Sequence, residues 1–357
     1  MANFDLSNLA LQAVCPGNEI LYDDKGMPSI MVKVPKQTYA QLGMGESTAI
    51  FPSFIINGQE VDAIWFSKFD NIIKGGRAYS LPGQDPANAI NFDNALAACT
   101  AKGAGWHMMT QMERGALIQW CENNAFIPKG NNDFGKHVSE TNYKAIPANI
   151  VDGKTNRTLT GTGPLTWLHD NSPSGIDGLG GNVRDWSGGI RSFNGELQIL
   201  ANNNGADSAH SQLAGSLVWK AIKGEDGTLI DPNGSGTTEG SVKMDYITSK
   251  LTYSTTITDA APGSHSCEFG NIVCDATIGD AAKLLLQSLG FLPYNVDGLS
   301  KTHLCYFDNS AGERSFSCGG NYSSASYGLA SFYGIFTRTF TFANLGFRSA
   351  FVVLPPA

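Results

Sequence analysis

The sequence predicts an α+β domain built from short irregular strands, two main helices and long loops. Three observations carry this. Glycine is frequent, 41 of 357 residues, and aromatic residues make up 10%, a mix that suits tight turns on an aromatic frame rather than a helical bundle. Clear helix starts are few. The strand candidates are short and end at proline, glycine or asparagine. A hydrophobic content of 42% against 16% charged leaves enough apolar surface for a sizeable core. The length suffices for one large domain or two ordinary ones.

Residues 1–50 read as a separate leading segment for attachment or oligomerisation. Its one strand candidate, Ile30 to Val34, lies between Pro28 and Pro35. From residue 51 to 357 the chain reads as one continuous domain. Phe54 to Val61 has the pattern of a hairpin turning at Asn57-Gly58. A helix is expected over 86–102, with Asp85 as its cap, Pro86 in its first turn, and Phe92, Leu96 and Cys99 along one face. A second helix starts at Thr110-Gln111-Met112-Glu113, where Thr110 and Glu113 can satisfy each other's free backbone donors. Met112, Ala116 and Trp120 then recur every four residues. Asp280 to Leu289 reads as a third, short helix stopped by Gly290. Between 188 and 265 the chain is rich in Gly, Asn, Ser and Thr, and reads as a loop-bearing insertion into the domain. No internal repeat of useful length is present.

A net charge of −8 and a pI near 5.2 argue against nucleic acid or an anionic membrane as partner, since both attract basic surfaces. No apolar stretch has the length of a membrane span. The first residues lack a basic region followed by an apolar run, so a secretory signal is not expected and synthesis in the cytoplasm is. Seven cysteines (15, 99, 121, 267, 274, 305 and 318) form no CxxC pair, and free thiols are the expectation; bridges joining Cys267 to Cys274 or Cys305 to Cys318 stay open.

Three ordered blocks carry a family resemblance. The first runs from Ala95-Leu96-Ala97-Ala98-Cys99 through Gly105-Trp106-His107-Met108-Met109-Thr110-Gln111-Met112-Glu113. The second is Gly178-Leu179-Gly180-Gly181-Asn182-Val183-Arg184-Asp185-Trp186. The third is Gly319-Gly320-Asn321-Tyr322 with Leu345-Gly346-Phe347-Arg348-Ser349-Ala350. Together, over about residues 51–357, they resemble the formylglycine-generating, sulfatase-modifying branch of the C-type lectin-like fold, with a helix and "G-W-x-L-x-T-x-x-E", then "G-N-V-x-E-W", then "R-G-G-S-W … G-F-R-x-A". Ser317-Cys318 stands where the family has Arg-Gly. The resemblance implies a C-type lectin-like fold and argues against the family's known chemistries. Its copper enzymes use two cysteines shortly after the Gly-Gly pair; the matching positions here are Ser324 and Leu329, which supply no thiolate. Its iron enzymes need a histidine cluster on a helix, whereas the six histidines (107, 137, 169, 210, 265 and 303) are dispersed. No catalytic residue, metal or cofactor is therefore expected. Asn182 and Asp185 could ligate calcium, or could fix a tight turn beneath Trp186, which is the expected role.

The segment of about 314–348 is the candidate ligand surface. From Gly319 to Leu345 it is dominated by Tyr, Phe, Ser, Gly and Thr, the chemistry of an antibody paratope. It contains no Lys, Glu, Gln, Met or Trp, where roughly four would be expected from composition. No codon for those five residues ends in cytosine or thymine. Randomising the first two bases of an Asn codon can therefore never produce them. Within this frame, the pattern resembles the variable proteins of diversity-generating retroelements, whose members include phage receptor-binding proteins and surface-displayed binders. Strand alternation over Arg338–Phe347 would put Phe340, Phe342 and Asn344 outward, with Leu345 and Phe347 inward. The expected contact residues are Tyr322, Ser323, Ser324, Tyr327, Ser331, Tyr333, Ile335, Phe336, Phe340, Phe342 and Asn344, while Ala325 and Gly328 to Ala330 read as scaffold.

The expectation is a non-catalytic binding protein, a phage or prophage tropism protein located in the virion tail or on a bacterial cell surface. Its partner would be a host or cell-surface macromolecule, protein or glycan. The leading segment would join other tail or surface-assembly proteins, and a homo-trimer would add avidity. The alternatives are a metal-dependent oxidase with a relocated site and a purely structural virion or surface protein.

Overall fold

The computed structural model describes residues 5–141, 144–310 and 312–356. Met1 to Phe4, part of the stretch read for a secretory signal, lie outside the described residues. In chain order, α1 spans Leu6–Val14, β1 Asn18–Tyr22, β2 Pro28–Pro35, β3 Ile55–Ile56, β4 Gln59–Glu60, β5 Ala63–Ser67, β6 Ile72–Lys74 and β7 Arg77–Tyr79. Next come α2 Phe92–Thr100, β8 Trp106–Met108, α3 Gln111–Asn123, β9 Ile150–Val151, β10 Lys154–Thr155 and β11 Arg184–Phe193. Then follow β12 Glu196–Ile199, β13 Lys220–Ile222, β14 Leu229–Ile230, β15 Lys243–Ile247, β16 Lys250–Ser254, β17 Ser264–Glu268 and β18 Val273–Cys274. The chain closes with α4 Asp280–Ser288, β19 Leu304–Asp308, β20 Glu313–Cys318, β21 Phe332–Phe336, β22 Leu345–Phe347 and β23 Ser349–Val352. The architecture is mixed α+β with many short strands.

Local signals act where expected. The β3–β4 hairpin turns at Asn57-Gly58, both at positive φ (55° and 73°), the backbone that a tight two-residue turn demands. Thr110 caps α3, and the full reciprocal pair with Glu113 forms. The first predicted helix is shorter than expected. It starts at Phe92, capped by Asn91, because Asp85 is engaged by Arg157 and Ala89 adopts a positive φ of 51°. Helix α1, capped by Asp5, was not anticipated.

Two sheets organise the chain. The first has the order β1-β2-β5-β23-β8, and every neighbour is antiparallel. It corrects the view of residues 1–50 as a separate segment. Strand β2 pairs with β5 along its length, and Met31, Val32, Leu42 and Met44 are buried core residues. The second sheet runs β17-β19-β21-β20-β11-β12-β15-β16-β18, with β13, β14 and β22 attached to it. Residues 188–265, expected as a loop-bearing insertion, contribute several of its strands, with 202–205 and 232–236 in the connections between them. That stretch supplies β12 to β16 and the core residues Ile190, Leu197, Ile199, Ile222, Val242, Met244, Leu251 and Tyr253. Its polar composition reflects the connections between these strands.

The three sequence blocks meet at one place. Strand β11 lies between β20 and the parallel β22, so the second and third blocks are adjacent. Their glycines permit the approach. A Cβ on Gly320 would stand 2.1 Å from the carbonyl oxygen of Gly180. Arg348, fully buried, ties the blocks together by bonding to Asp70, Asp185 (3.4 Å) and the carbonyl oxygens of Ser67 and Asp177 (2.7 Å each).

Candidate ligand-binding surface

The segment after β20 returns to the sheet as β21 and then leaves the ladder. The expected strand over 338–347 is reduced to Leu345–Phe347. The reason is a clamp. Arg338 reaches Glu313 (2.8 Å), Asp93 and the carbonyl oxygen of Gln212, and lies against the Phe92 ring. Its own carbonyl accepts from Phe92 N, and that of Phe342 accepts from Ala89 N, each at 3.0 Å. The loop is thus pinned to the approach of α2 instead of running on as a strand. Strand parity therefore does not apply to Phe340 and Phe342, although Leu345 and Phe347 are buried.

What the loop builds is a row of stacked rings. Tyr306 of β19 stacks on Tyr333 of β21 at 4.4 Å, and Tyr333 on Phe336 at 5.3 Å. Phe336 stacks on Phe340 at 4.1 Å with the planes 4° apart, and Phe340 is followed by Phe342 at 6.3 Å. The row is rooted in the core, because Phe336 meets buried Trp186 edge-on and both Phe336 and Phe340 pack against the cluster around Phe92, Trp186 and Phe347. It emerges at Phe342, which is 54% exposed. Each such contact contributes about 0.5–1.5 kcal/mol beyond area burial, so the row is held before any partner arrives. Tyr327 closes the inner end, edge-on to Tyr306 and Tyr333, with its hydroxyl 2.7 Å from that of Tyr333. Burial pushes both phenols up, so both hydroxyls keep their protons near neutral pH.

The expected contact residues divide. Ser323 and Phe342 are exposed, and Ser324, Tyr333, Ile335, Phe336 and Phe340 are half-buried. Tyr322, Tyr327, Ser331 and Asn344 are buried, which corrects their expected exposure. Tyr322 packs near the Phe134 ring (6.3 Å), and Ser331 Oγ accepts from Gly328 N. Asn344 lies beneath the loop, where its carbonyl accepts from Arg184 N. Ala325, expected as scaffold, is exposed, whereas Gly328 to Ala330 are buried. A Cβ on Gly328 would stand 2.3 Å from His303 Nε2. Burial lowers His303 to about 4, leaving a neutral ring whose Nδ1 accepts from Ala330 N.

Sequence reasoning missed two members of the site. Tyr306 and Arg184 come from β19 and β11, outside the 314–348 segment, and no spacing in the chain marks them. The Arg184 guanidinium lies 4.0 Å from the Tyr333 ring centre and 4.9 Å from that of Tyr327.

The other candidates take structural positions. Asn182, at φ 77°, accepts from Thr158 N (2.9 Å) and donates to Thr158 O, and Asp185 is buried beside Arg348 and Arg114. These side chains are already engaged in turn and core contacts. The seven cysteines are free thiols. Among the described residues, no group of three or more His, Cys, Asp or Glu stands where it could hold a metal ion. Ser324 is half-buried and Leu329 fully buried, while the nearby thiols of Cys318 and Cys305 point to Gln111 and to the carbonyl of Ala330. This donor set does not fit a copper centre. Among the described residues no helix is long and apolar enough to cross a membrane.

No protein-family model matches the sequence, and no curated protein matches it. Among solved structures, PvdO from Pseudomonas aeruginosa aligns over 95% of this chain and 99% of its own, with 11% identity and a TM-score of 0.35. A Major Tropism Determinant P3c variant aligns over 94% of this chain and 71% of its own, with 11% identity and a TM-score of 0.29.

Proposed function

We propose that the chain is a non-catalytic binding protein with a C-type lectin-like fold, whose stacked aromatic row contacts a host or cell-surface macromolecule. Its setting would be a phage tail or a bacterial surface, and its contact residues would be diversified by a retroelement. The observation that carries the reading is the row itself, five rings graded from half-buried Tyr306 to exposed Phe342 on a clamped loop. A row of this kind offers rigid aromatic area at little ordering cost, as binding anchors do. Two features of the sequence support the reading. The three ordered blocks resemble the lectin-like frame. The absence of Lys, Glu, Gln, Met and Trp from Gly319 to Leu345 fits rewritten Asn codons. The contact set is Ser323, Ser324, Tyr333, Ile335, Phe336, Phe340 and Phe342.

Fluorescently labelled protein applied to a panel of bacterial strains tests the reading. Saturable binding to at least one strain is expected. Phe342→Asp should weaken it by about tenfold or more while costing no more than about 1.5 kcal/mol of stability, because the half-exposed ring gives up only its contact with Phe340. Unchanged binding by that variant would contradict the assignment of the surface. Genomic DNA offers a second test. A near-copy of the 3′ coding end, carrying adenines at the differing positions beside a reverse transcriptase gene, is expected.

A further inference from the structure

We propose that Arg184, with Tyr327 and Tyr333, forms a carboxylate-recognising subsite at the inner end of the row that takes an acidic side chain of a protein partner. The inference rests on the row being the partner-contacting surface.

The chain has eight arginines. Seven of them (Arg77, Arg114, Arg157, Arg191, Arg314, Arg338 and Arg348) have a carboxylate within 4.0 Å. Arg184 has none among the described residues, although it is only 6% exposed. Its Nε has no hydrogen-bond partner, and its guanidinium is bracketed by the Tyr327 and Tyr333 rings. A buried cation without an anion is costly, and the ring faces return only part of that cost. An incoming carboxylate would supply the missing partner through charge-assisted hydrogen bonds, the geometry a guanidinium matches best.

The two tyrosines complete the subsite. Their hydroxyls bond to each other at 2.7 Å and also neighbour that of Tyr306, so the three phenols share three protons, one of which an incoming oxygen would accept. One guanidinium and one hydroxyl proton balance a monoanion. A phosphate dianion would keep uncompensated charge in a half-buried place. The row also favours a polypeptide over an acidic sugar. Sugars stack on open ring faces, whereas here the faces of Tyr333, Phe336 and Phe340 are covered by their neighbours in the row. The partner residue would thus be Glu or Asp beside an apolar patch.

The test is a titration of the full chain followed by NMR of the arginine Nε–H groups. The probe is N-acetyl-glutamate N-methylamide, with the glutamine analogue as control and inorganic phosphate and glucuronate as further arms. The expected result is a saturable shift of the Arg184 Nε–H signal, with affinity at least about tenfold better for the acid than for the amide. Tyr333→Phe keeps the ring and removes the proton, and should weaken the acid several-fold with only a small fall in melting temperature from the lost bond to Tyr327. Equal responses to acid and amide, or a silent Arg184 signal, would overturn the subsite. A response to glucuronate or phosphate but not to the glutamate probe would overturn the protein partner. The two proposals fail separately. Phe342→Asp retaining cell binding sinks the surface reading and leaves the Arg184 titration standing; a lost cell contact with a silent Arg184 sinks only the subsite.

Discussion

At the scale of single residues, charge placement separates structure from recognition. Arg348 is fully buried yet answered on every side, by Asp70, Asp185 and two backbone carbonyls. Removing it leaves Asp70 buried without a cation, while Asp185 keeps only Arg114. Arg348→Met is therefore expected to cost about 3–5 kcal/mol, read as a fall in the denaturant midpoint. Asp23 shows the acid side of the same logic. Burial raises its pKa, but hydrogen bonds from Met27 N, Tyr79 Oη, Arg77 and Lys25 N outweigh burial and hold the carboxyl well below its usual 3.8. A lowered folded-state pKa means stability that is present above the unfolded value and lost as pH falls through the acid range. Denaturation at pH 7 and pH 3 should show a larger acid loss in the wild type than in Asp23→Asn, with the variant less stable at pH 7. Equal pH slopes would mean that Asp23 contributes nothing.

At the scale of elements, short-range signals were legible and long-range choices were not. The Asn57-Gly58 turn and the Thr110–Glu113 cap each depend on residues within four positions, and both form where the sequence places them. The start of α2 was misplaced because two caps competed. Arg157, 72 residues further on, engages Asp85, and Asn91 takes the role. The row was legible in composition but not in geometry. Alternation failed over 338–344 because the Arg338 clamp lifts the chain off the ladder, and no local pattern encodes that clamp. The paired glycines of the second and third blocks have a direct physical role, since their backbones touch. Gly320→Ala would drive its methyl into Gly180 O. A destabilisation of about 1–3 kcal/mol is expected, and a neutral thermal shift would show that the two strands can separate at little cost.

At the scale of the whole molecule, both chain ends build one sheet. Strand β2 from the leading segment and β23 from the last residues flank β5. The first 50 residues read as a separate attachment segment, but Met31, Val32, Leu42 and Met44 are buried in the core, while Leu6, Leu9, Val14, Tyr22 and Met27 stay exposed. Deleting residues 1–35 should thus abolish the cooperative unfolding transition; a deletion that still melts sharply would restore the idea of an independent arm. The same economy shapes the recognition surface, in which two sheet strands and one pinned loop carry the five rings and the remaining frame holds them still.

The most direct measurement of the central claim is fluorine NMR of protein carrying fluorinated phenylalanine, mixed with envelope from a strain it binds. The account predicts that the Phe342 and Phe340 signals shift or broaden while those of buried Phe66 and Phe307 stay fixed. Signals from the row that remain at their free positions while the protein is bound would show that contact is made elsewhere, and would contradict it.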